Sequence, residues 1–195
     1  MCNDERLREV TIGEPTVHGG RIALIPYDPE WPRRFERQAA RVRTALGSGA
    51  LRIEHVGSTS VPGLSAKPFI DIVLEVANSA DEAAYVPNLE AAGYVLRIRE
   101  PKWHEHRLFT SPHEEIKLHV FGRDCPEIRR MIEFRNRLRD HAADRELYAR
   151  TKRELAQRRW RYVQDYADAK SEVVEAILAR AATDVAYRVS GTPDG

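Results

Sequence analysis

Asp71 stands inside Phe69-Ile-Asp-Ile-Val-Leu-Glu-Val76, an apolar run broken only by Asp71 and Glu75. Its Ile and Val content, and the Pro68 and Asn78-Ser79 that bound it, predict a buried strand. Alternate residues of a strand share a face, so Asp71, Val73 and Glu75 point the same way. An ionised carboxylate there is costly unless it is paired or holds a metal. The preceding loop, Gly57 to Pro68, offers a use for it. Gly57 lets a backbone or a ligand approach closely, Ser58, Thr59 and Ser60 bring hydroxyls and backbone N–H groups, and Lys67 brings a positive charge. Such groups can cradle a phosphate, and a strand carboxylate beside them can hold Mg²⁺ against it. The same residues also describe a tight turn beside a half-exposed strand acid, and the residue types leave both readings open.

Other residues with chemical capacity follow. In Glu115 to Phe121 the apolar Ile116, Leu118 and Val120 alternate with Lys117, His119 and Phe121, which separates an apolar face from one able to meet a ligand. Lys117 fits solvent equally well. His104 and His106, at i and i+2, would share a strand face and could grip a metal. Without a nearby cysteine, a polar hairpin explains them better. Arg107 opens the next β-like run and is a candidate phosphate contact, because a guanidinium can bind bidentately.

These groups need elements to position them. Met1 to Gly20, with its glycines and Pro15, reads as a loosely docked arm. Asp28-Pro29 starts a helix with Asp28 as N-cap, which carries Trp31, Phe35, Val42 and Leu46 at helical spacing and stops at Gly47. Ser79-Ala-Asp-Glu82 reads as a capping box opening a helix that ends before Gly93. Three β-like runs follow, at 94–99, 107–110 and 115–121. From Pro126 the pattern turns helical: Ile128, Met131, Ile132 and Leu138 form one stripe and Asp140-His141 a break. Leu147, Tyr148, Thr151 and Leu155 form a second stripe, and Val173, Val174, Ile177 and Leu178 another. The fold class is α/β: a small mixed sheet flanked by helices (21–125), a C-terminal helical region packed on it (126–182), and a frayed tail (183–195).

The 31 Lys+Arg against 30 Asp+Glu give a formal charge of +1, which is no general footprint for a nucleic acid. The arginines at 158, 159 and 161 sit among acids and read as a solvated face. Two cysteines, Cys2 and Cys125, are too few for a disulfide scaffold. No apolar run is long enough to span a membrane, and Met-Cys-Asn-Asp-Glu-Arg lacks the plan of a signal peptide, so the expected compartment is the cytoplasm.

The stretch from His55-Val-Gly-Ser-Thr-Ser to Ala-Lys-Pro-Phe-Ile-Asp71 resembles the signature of the GrpB family, a branch of the nucleotidyltransferase-fold superfamily. Pro26-Tyr-Asp-Pro-Glu-Trp-Pro32, Leu118-His-Val120, Phe134-Arg135, the Tyr148/Lys152/Leu155 spacing and Tyr166 with Lys170 resemble further landmarks. The likeness runs from Ile22 to Ala182. It implies a nucleotidyltransferase-like fold with a cleft between sheet and helices. It also implies that Gly57 and Ser58 match the superfamily's phosphate-contacting Gly-Ser pair and that Asp71 matches the first metal-binding acid. Val73 holds the place of the second acid, and His119 the place of the third. The activity so implied is transfer of a nucleoside monophosphate from an NTP to a small acceptor. Ser58, Thr59, Ser60 and the loop amides would hold the phosphates, with Lys67 or Arg107 balancing their charge. Asp71 would bind Mg²⁺, and His119 would be a metal ligand or a general base. Arg135, Lys152 and Lys170, on helices flanking the sheet, would reach over the loop to a phosphate. The partner implied is a nucleotide or another phosphate-bearing small molecule. The second function implied is a non-catalytic phosphate-ligand or protein-binding accessory module, since GrpB-like domains also occur fused to dephospho-coenzyme A kinase.

Overall fold

The computed structural model describes residues 3–190. Five strands, β2 (Arg52–Val56), β3 (Ile70–Val76), β4 (Val95–Glu100), β5 (His106–Thr110) and β6 (Ile116–Gly122), form one sheet in the order β2-β3-β6-β5-β4. β3 and β6 at its centre are parallel and every other pair is antiparallel. The parallel pair needs a crossover, and the chain between its strands supplies α3 (Val86–Ala91), β4 and β5. A two-residue pairing of β1 (Gly20–Arg21) with β7 (Arg159–Trp160) lies apart from this sheet.

Side-chain alternation divides the sheet into two faces. Ile70, Ile72 and Leu74 of β3, Ile116, Leu118 and Val120 of β6, and Phe109 of β5 lie on one face. They form the main core with Trp31 and Val42 of α2 (Glu30–Leu46) and Leu89 of α3. α2 begins as its sequence dictates: Pro29 has helical dihedrals (φ −60°, ψ −13°), and the Asp28 carboxylate accepts the Glu30 N–H at 2.9 Å. Burial of these side chains, each of which contributes about 1.5–3 kcal/mol, fixes the sheet on this side.

The opposite face, which carries Asp71 and His119, is covered toward one end by α4 (Pro126–Asp140). There Val56, Val73 and Phe121 pack under Ile128, with Met131 and Ile132 against them. α5 (Ala142–Ala156) and α7 (Ser171–Ser190), with the short α6 (Val163–Asp168) between them in the chain, follow α4, and α4, α5 and α7 share a cluster of Leu138, Tyr148 and Ile177. Val61 and Leu64, from the loop after Gly57, belong to that same cluster. The loop is therefore pinned to the helical region from one side and continuous with the sheet on the other. The α/β class, the mixed sheet and the break at His141 (φ −118°, ψ 101°) agree with the sequence reading.

Three expectations change. Residues 3–10 form a helix, α1 (Asn3–Val10), rather than a loose arm; the Ile12 N–H bonds the Arg97 carbonyl of β4 at 2.8 Å, which ties this segment to the sheet. The helix expected from Ser79 starts only at Val86. Asn78 and Ser79 hold a turn instead, in which the Ala80 N–H bonds the Asn78 side chain at 3.0 Å and the Tyr85 hydroxyl bonds the Ser79 carbonyl at 2.7 Å. Pro87, which lacks an N–H, then suits the first turn of the later helix. α7 passes the expected boundary at Ala182 and continues to Ser190. Residues 191–195 of the expected tail, and Cys2, lie outside the described residues.

Candidate functional site

Gly57 follows β2 with φ 68° and ψ −173°, a backbone region open almost only to glycine. A methyl group there would lie 2.5 Å from Asp71 Oδ2, so the absent side chain lets the loop close onto the carboxylate. The loop then makes a single 3₁₀ turn, Ser58–Ser60. Two of its three hydroxyls are turned inward: Thr59 donates to the Phe69 carbonyl at 3.0 Å and Ser60 to the Gly57 carbonyl at 2.5 Å. Thr59 Oγ1 also lies 3.1 Å from His55 Nε2. Since the hydroxyl proton is already committed, the histidine is the donor. Burial lowers the pKa of His55 to about 4, so it is neutral near pH 7. Thr59 and Ser60 thus shape the loop, and Ser58 is left facing the cleft.

Opposite Ser58 lies a group the linear sequence does not assemble. A small cavity of about 60 Å³ is lined by Ser58, Lys67, Asp71, Lys117, Lys152 and Lys170, with Tyr166. Lys152, from α5, donates to Ser58 Oγ at 3.1 Å and to the Ser65 carbonyl at 2.6 Å, and it is buried. The Lys170 ammonium sits 4.6 Å from the centre of the Tyr166 ring. Lys67 lies over Phe69 (5.6 Å) and Tyr166 (5.8 Å), and Lys117 over Phe69 (5.5 Å). Lys117 arrives because β3 and β6 pair with Asp71 opposite Lys117. Four lysines therefore line one small cavity together with a carboxylate. Burial, aided by Lys117 and Lys170, lowers the pKa of Lys67 to about 7. Burial, aided by Lys170 and Arg153, does the same to Lys152. The Tyr166 hydroxyl is buried and has no hydrogen-bond partner among the described residues.

Asp71 keeps its charge. Burial would raise its pKa, but His119, Lys117 and Lys67 together outweigh that and leave it below the ordinary carboxylate value. His119 Nε2 stands 3.8 Å from Asp71 Oδ1, an ion-pair distance rather than a hydrogen bond. A larger cleft of about 440 Å³ continues from Lys117, His119 and Lys170 toward Trp103, Leu108 and Met131. The small cavity has room for a charged group, and the larger cleft has room for the body of a ligand.

Not every expected residue arrives. Arg107 lies opposite Val120, on the core face of the sheet, and donates to Glu82 at 2.6 Å. The strand's parity turns it away from Asp71. Arg135 donates to Glu54 at 2.8 Å and to the His55 carbonyl at 2.9 Å, so it clamps β2 beside the loop. Arg139 holds the Ser60 carbonyl from the same helix (2.9 and 2.7 Å). His104 lies in the turn before β5 with φ 55°, not on a strand, and shares no face with His106. Arg159 and Arg161, read as part of a solvated face, are exposed and bond to Gly19 and Asp4. Sequence reasoning missed the convergence of Lys117 and Tyr166 on the cavity; the alternation of β6 was the available signal for Lys117.

The description "GrpB protein" fits residues 21–180 of this sequence. The chain belongs to the GrpB family. It is 58% identical over 178 residues to the UPF0157 protein BH1888 of Halalkalibacterium halodurans, covering 91% of each chain. A stretch of 76 residues, 37% of this chain, is 46% identical to 19% of a dephospho-CoA kinase of Mycolicibacterium paratuberculosis. Among solved structures, the conserved protein GrpB from Enterococcus faecalis matches with a TM-score of 0.69 at 29% identity, over 84% of this chain and 99% of that one. The GrpB fold therefore extends through both the sheet and the helical region that together form the cleft.

A resident Mg²⁺ does not fit this GrpB site. A cage made by protein alone needs an octahedral set of oxygens at close range, whereas among the described residues Asp71 is the one carboxylate on the lysine-lined cavity, so Mg²⁺ would have to be shared with the phosphates of a ligand. Among the described residues no three His, Cys, Asp or Glu side chains are gathered for a metal. Val73, in the place of the second acid, is buried beneath Ile128. Glu75 is committed elsewhere, accepting the Asp124 N–H at 2.9 Å and pairing with Arg52 at 3.4 Å. Positive charge at this site comes from lysine. Among the described residues no helix is long and apolar enough to cross a membrane.

Proposed function

We propose that the cleft binds a nucleotide or another phosphate-bearing small molecule, with a phosphate group in the lysine cavity and the rest of the ligand along the larger cleft. The observation that carries this reading is that Lys67, Lys117, Lys152 and Lys170 line one cavity with Ser58. Gathering three half-buried ammoniums around the buried Lys152 is unfavourable unless an anion compensates them, and Asp71 supplies only one negative charge. An incoming phosphate completes the balance. The reaction that suits this arrangement is transfer of a nucleoside monophosphate from an NTP to a small acceptor. The acceptor hydroxyl oxygen bonds to the α-phosphorus as the bond to pyrophosphate breaks, and the electron pair leaves on pyrophosphate. The hydroxyl proton passes to His119 Nε2, beside Asp71. The lysine ammoniums meet the charge that grows on the departing pyrophosphate, a contribution made by position and electrostatics alone.

The second reading, a phosphate-binding module without turnover, is favoured by Val73 and by the commitment of Glu75 to structure. The stretch shared with a dephospho-CoA kinase fits an accessory role of that kind. Thermal unfolding with a panel of NTPs, coenzyme A precursors and pyrophosphate, each with and without Mg²⁺, separates the readings. A ligand at 100 times its Kd adds about 2.7 kcal/mol of stability. A shift with an NTP, followed by pyrophosphate release with a suitable acceptor, supports transfer. A shift without any release over long incubation supports the binding module, and a flat panel sinks both.

A further inference from the structure

Four side chains from four adjacent strands line up on the ligand-facing side of the sheet. Glu100 of β4 lies opposite His106 of β5, and its Oε2 is 2.8 Å from His106 Nδ1. His106 Nε2 is 3.1 Å from Nδ1 of His119 on β6, with the two ring planes 20° apart. His119 Nε2 then faces Asp71 of β3 across 3.8 Å. The first two contacts are hydrogen bonds and the third leaves a gap. We infer that Glu100 and His106 are positioning residues that hold His119 in the tautomer carrying its proton on Nδ1, so that its Nε2 lone pair is presented to the site beside Asp71. This inference rests on the reading of the cleft as a functional site.

The hydrogen-bond inventory enforces the assignment. A carboxylate only accepts, so His106 must place its proton on Nδ1. In the neutral ring Nε2 is then an acceptor, and the donor facing it has to be His119 Nδ1–H. While the His119 ring is neutral its Nε2 is left without a proton, and a hydroxyl or water that enters between it and Asp71 meets two acceptors; only the protonated ring pairs with Asp71. His106 is suited to the neutral state. It is buried, with Phe121 stacked on it at 4.8 Å and the Trp103 edge at 5.2 Å. Burial lowers its pKa to about 4 even though Glu100 pulls the other way, with His119 and Arg107 adding to the lowering. Glu100 stays ionised: burial raises its pKa, but His106 and Arg6 together outweigh this, and Arg6 of α1 approaches its other oxygen at 3.5 Å. The arrangement has the logic of a carboxylate-oriented histidine base with a second imidazole inserted.

The test is long-range ¹H–¹⁵N correlation spectroscopy of the histidine rings in the ¹⁵N-labelled full chain at pH 8. Wild type should show His119 with a protonated Nδ1 and a bare Nε2. In Glu100→Gln the amide oxygen should stay on the side of Arg6 and the amide N–H face His106, so the His106 proton should move to Nε2 and His119 should switch to the Nε2–H form. Sulfate affinity, which depends on the lysine cavity, should be unchanged in this variant. A wild-type His119 carrying its proton on Nε2, or a His119 pattern unmoved by both Glu100→Gln and His106→Asn, would overturn the inference. If a variant does not fold, the wild-type spectrum alone decides. Failure of wild type to bind sulfate would count against the phosphate reading and leave the tautomer result intact, so the two failures are distinguishable.

Discussion

Anion binding to the lysine cavity should depend steeply on pH, with a magnitude set by two residues. Lys67 and Lys152 each have a pKa lowered to about 7, first by burial and then by neighbouring cations. A ligand that needs both ammoniums charged finds each about nine-tenths charged at pH 6 and about one-tenth at pH 8. Each group then contributes about tenfold, and the pair about 100-fold, or about 2.7 kcal/mol. Sulfate is the probe of choice because it does not titrate in this range. Isothermal titration in buffers of different ionisation enthalpy gives both the affinity and the proton count, which should approach about one proton taken up per sulfate at pH 7. Lys67→Met should weaken binding and cut the pH effect to about tenfold. The free protein should show the opposite trend. The folded values lie below the ordinary value of 10.5 for both lysines, so the unfolded chain binds more protons between about pH 7 and pH 10.5, and stability rises with pH across that window. Sulfate should flatten that rise. An affinity unchanged from pH 6 to pH 8, with no proton uptake, would mean that neither Lys67 nor Lys152 charges on binding the anion.

Three further outcomes follow from named contacts. Gly57→Ala should cost about 1–3 kcal/mol in backbone strain alone and lower Tm by roughly 2–4 °C per kcal/mol, while its methyl displaces Asp71; an unchanged Tm in calorimetry would contradict the close approach. Arg107→Gln weakens the anchor on Glu82 and should destabilise by about 1–3 kcal/mol in urea unfolding, yet leave sulfate affinity alone; a several-fold affinity loss would return Arg107 to the site. Asp71→Asn removes the one negative charge on the cavity and should tighten sulfate binding several-fold in the absence of Mg²⁺. Weaker binding there would mean that Asp71 helps to hold the anion.

The sequence was most informative where a local pattern suffices. The apolar run around Asp71, the loop that begins at Gly57, the alternation of β6 and the start of α2 at Asp28-Pro29 were legible because each depends on neighbours in the chain. The lysine cavity was only partly legible. Lys67 is near Asp71 in sequence, but Lys117 reaches the cavity through the register of β3 with β6, and Lys152 and Lys170 through the packing of α5 and the turn before α7. Family resemblance drew attention to the last two, and periodicity alone had no means to. Arg107 shows the converse. Its chemistry suits phosphate, yet pairing opposite Val120 puts it on the buried face with Glu82. One residue of parity on a strand decides which side of the sheet a side chain serves. The run from Glu100 through His106 to His119 was hidden for the same reason, since it exists only across strands.

The most direct test of the lysine-built phosphate site is a crystal structure of the protein grown with pyrophosphate in metal-free buffer. A phosphate group held by Ser58, Lys67, Lys152 and Lys170 is expected, with the Tyr166 hydroxyl gaining a partner. Pyrophosphate bound elsewhere on the molecule, or absent from the cavity at saturating concentration, would contradict the phosphate reading.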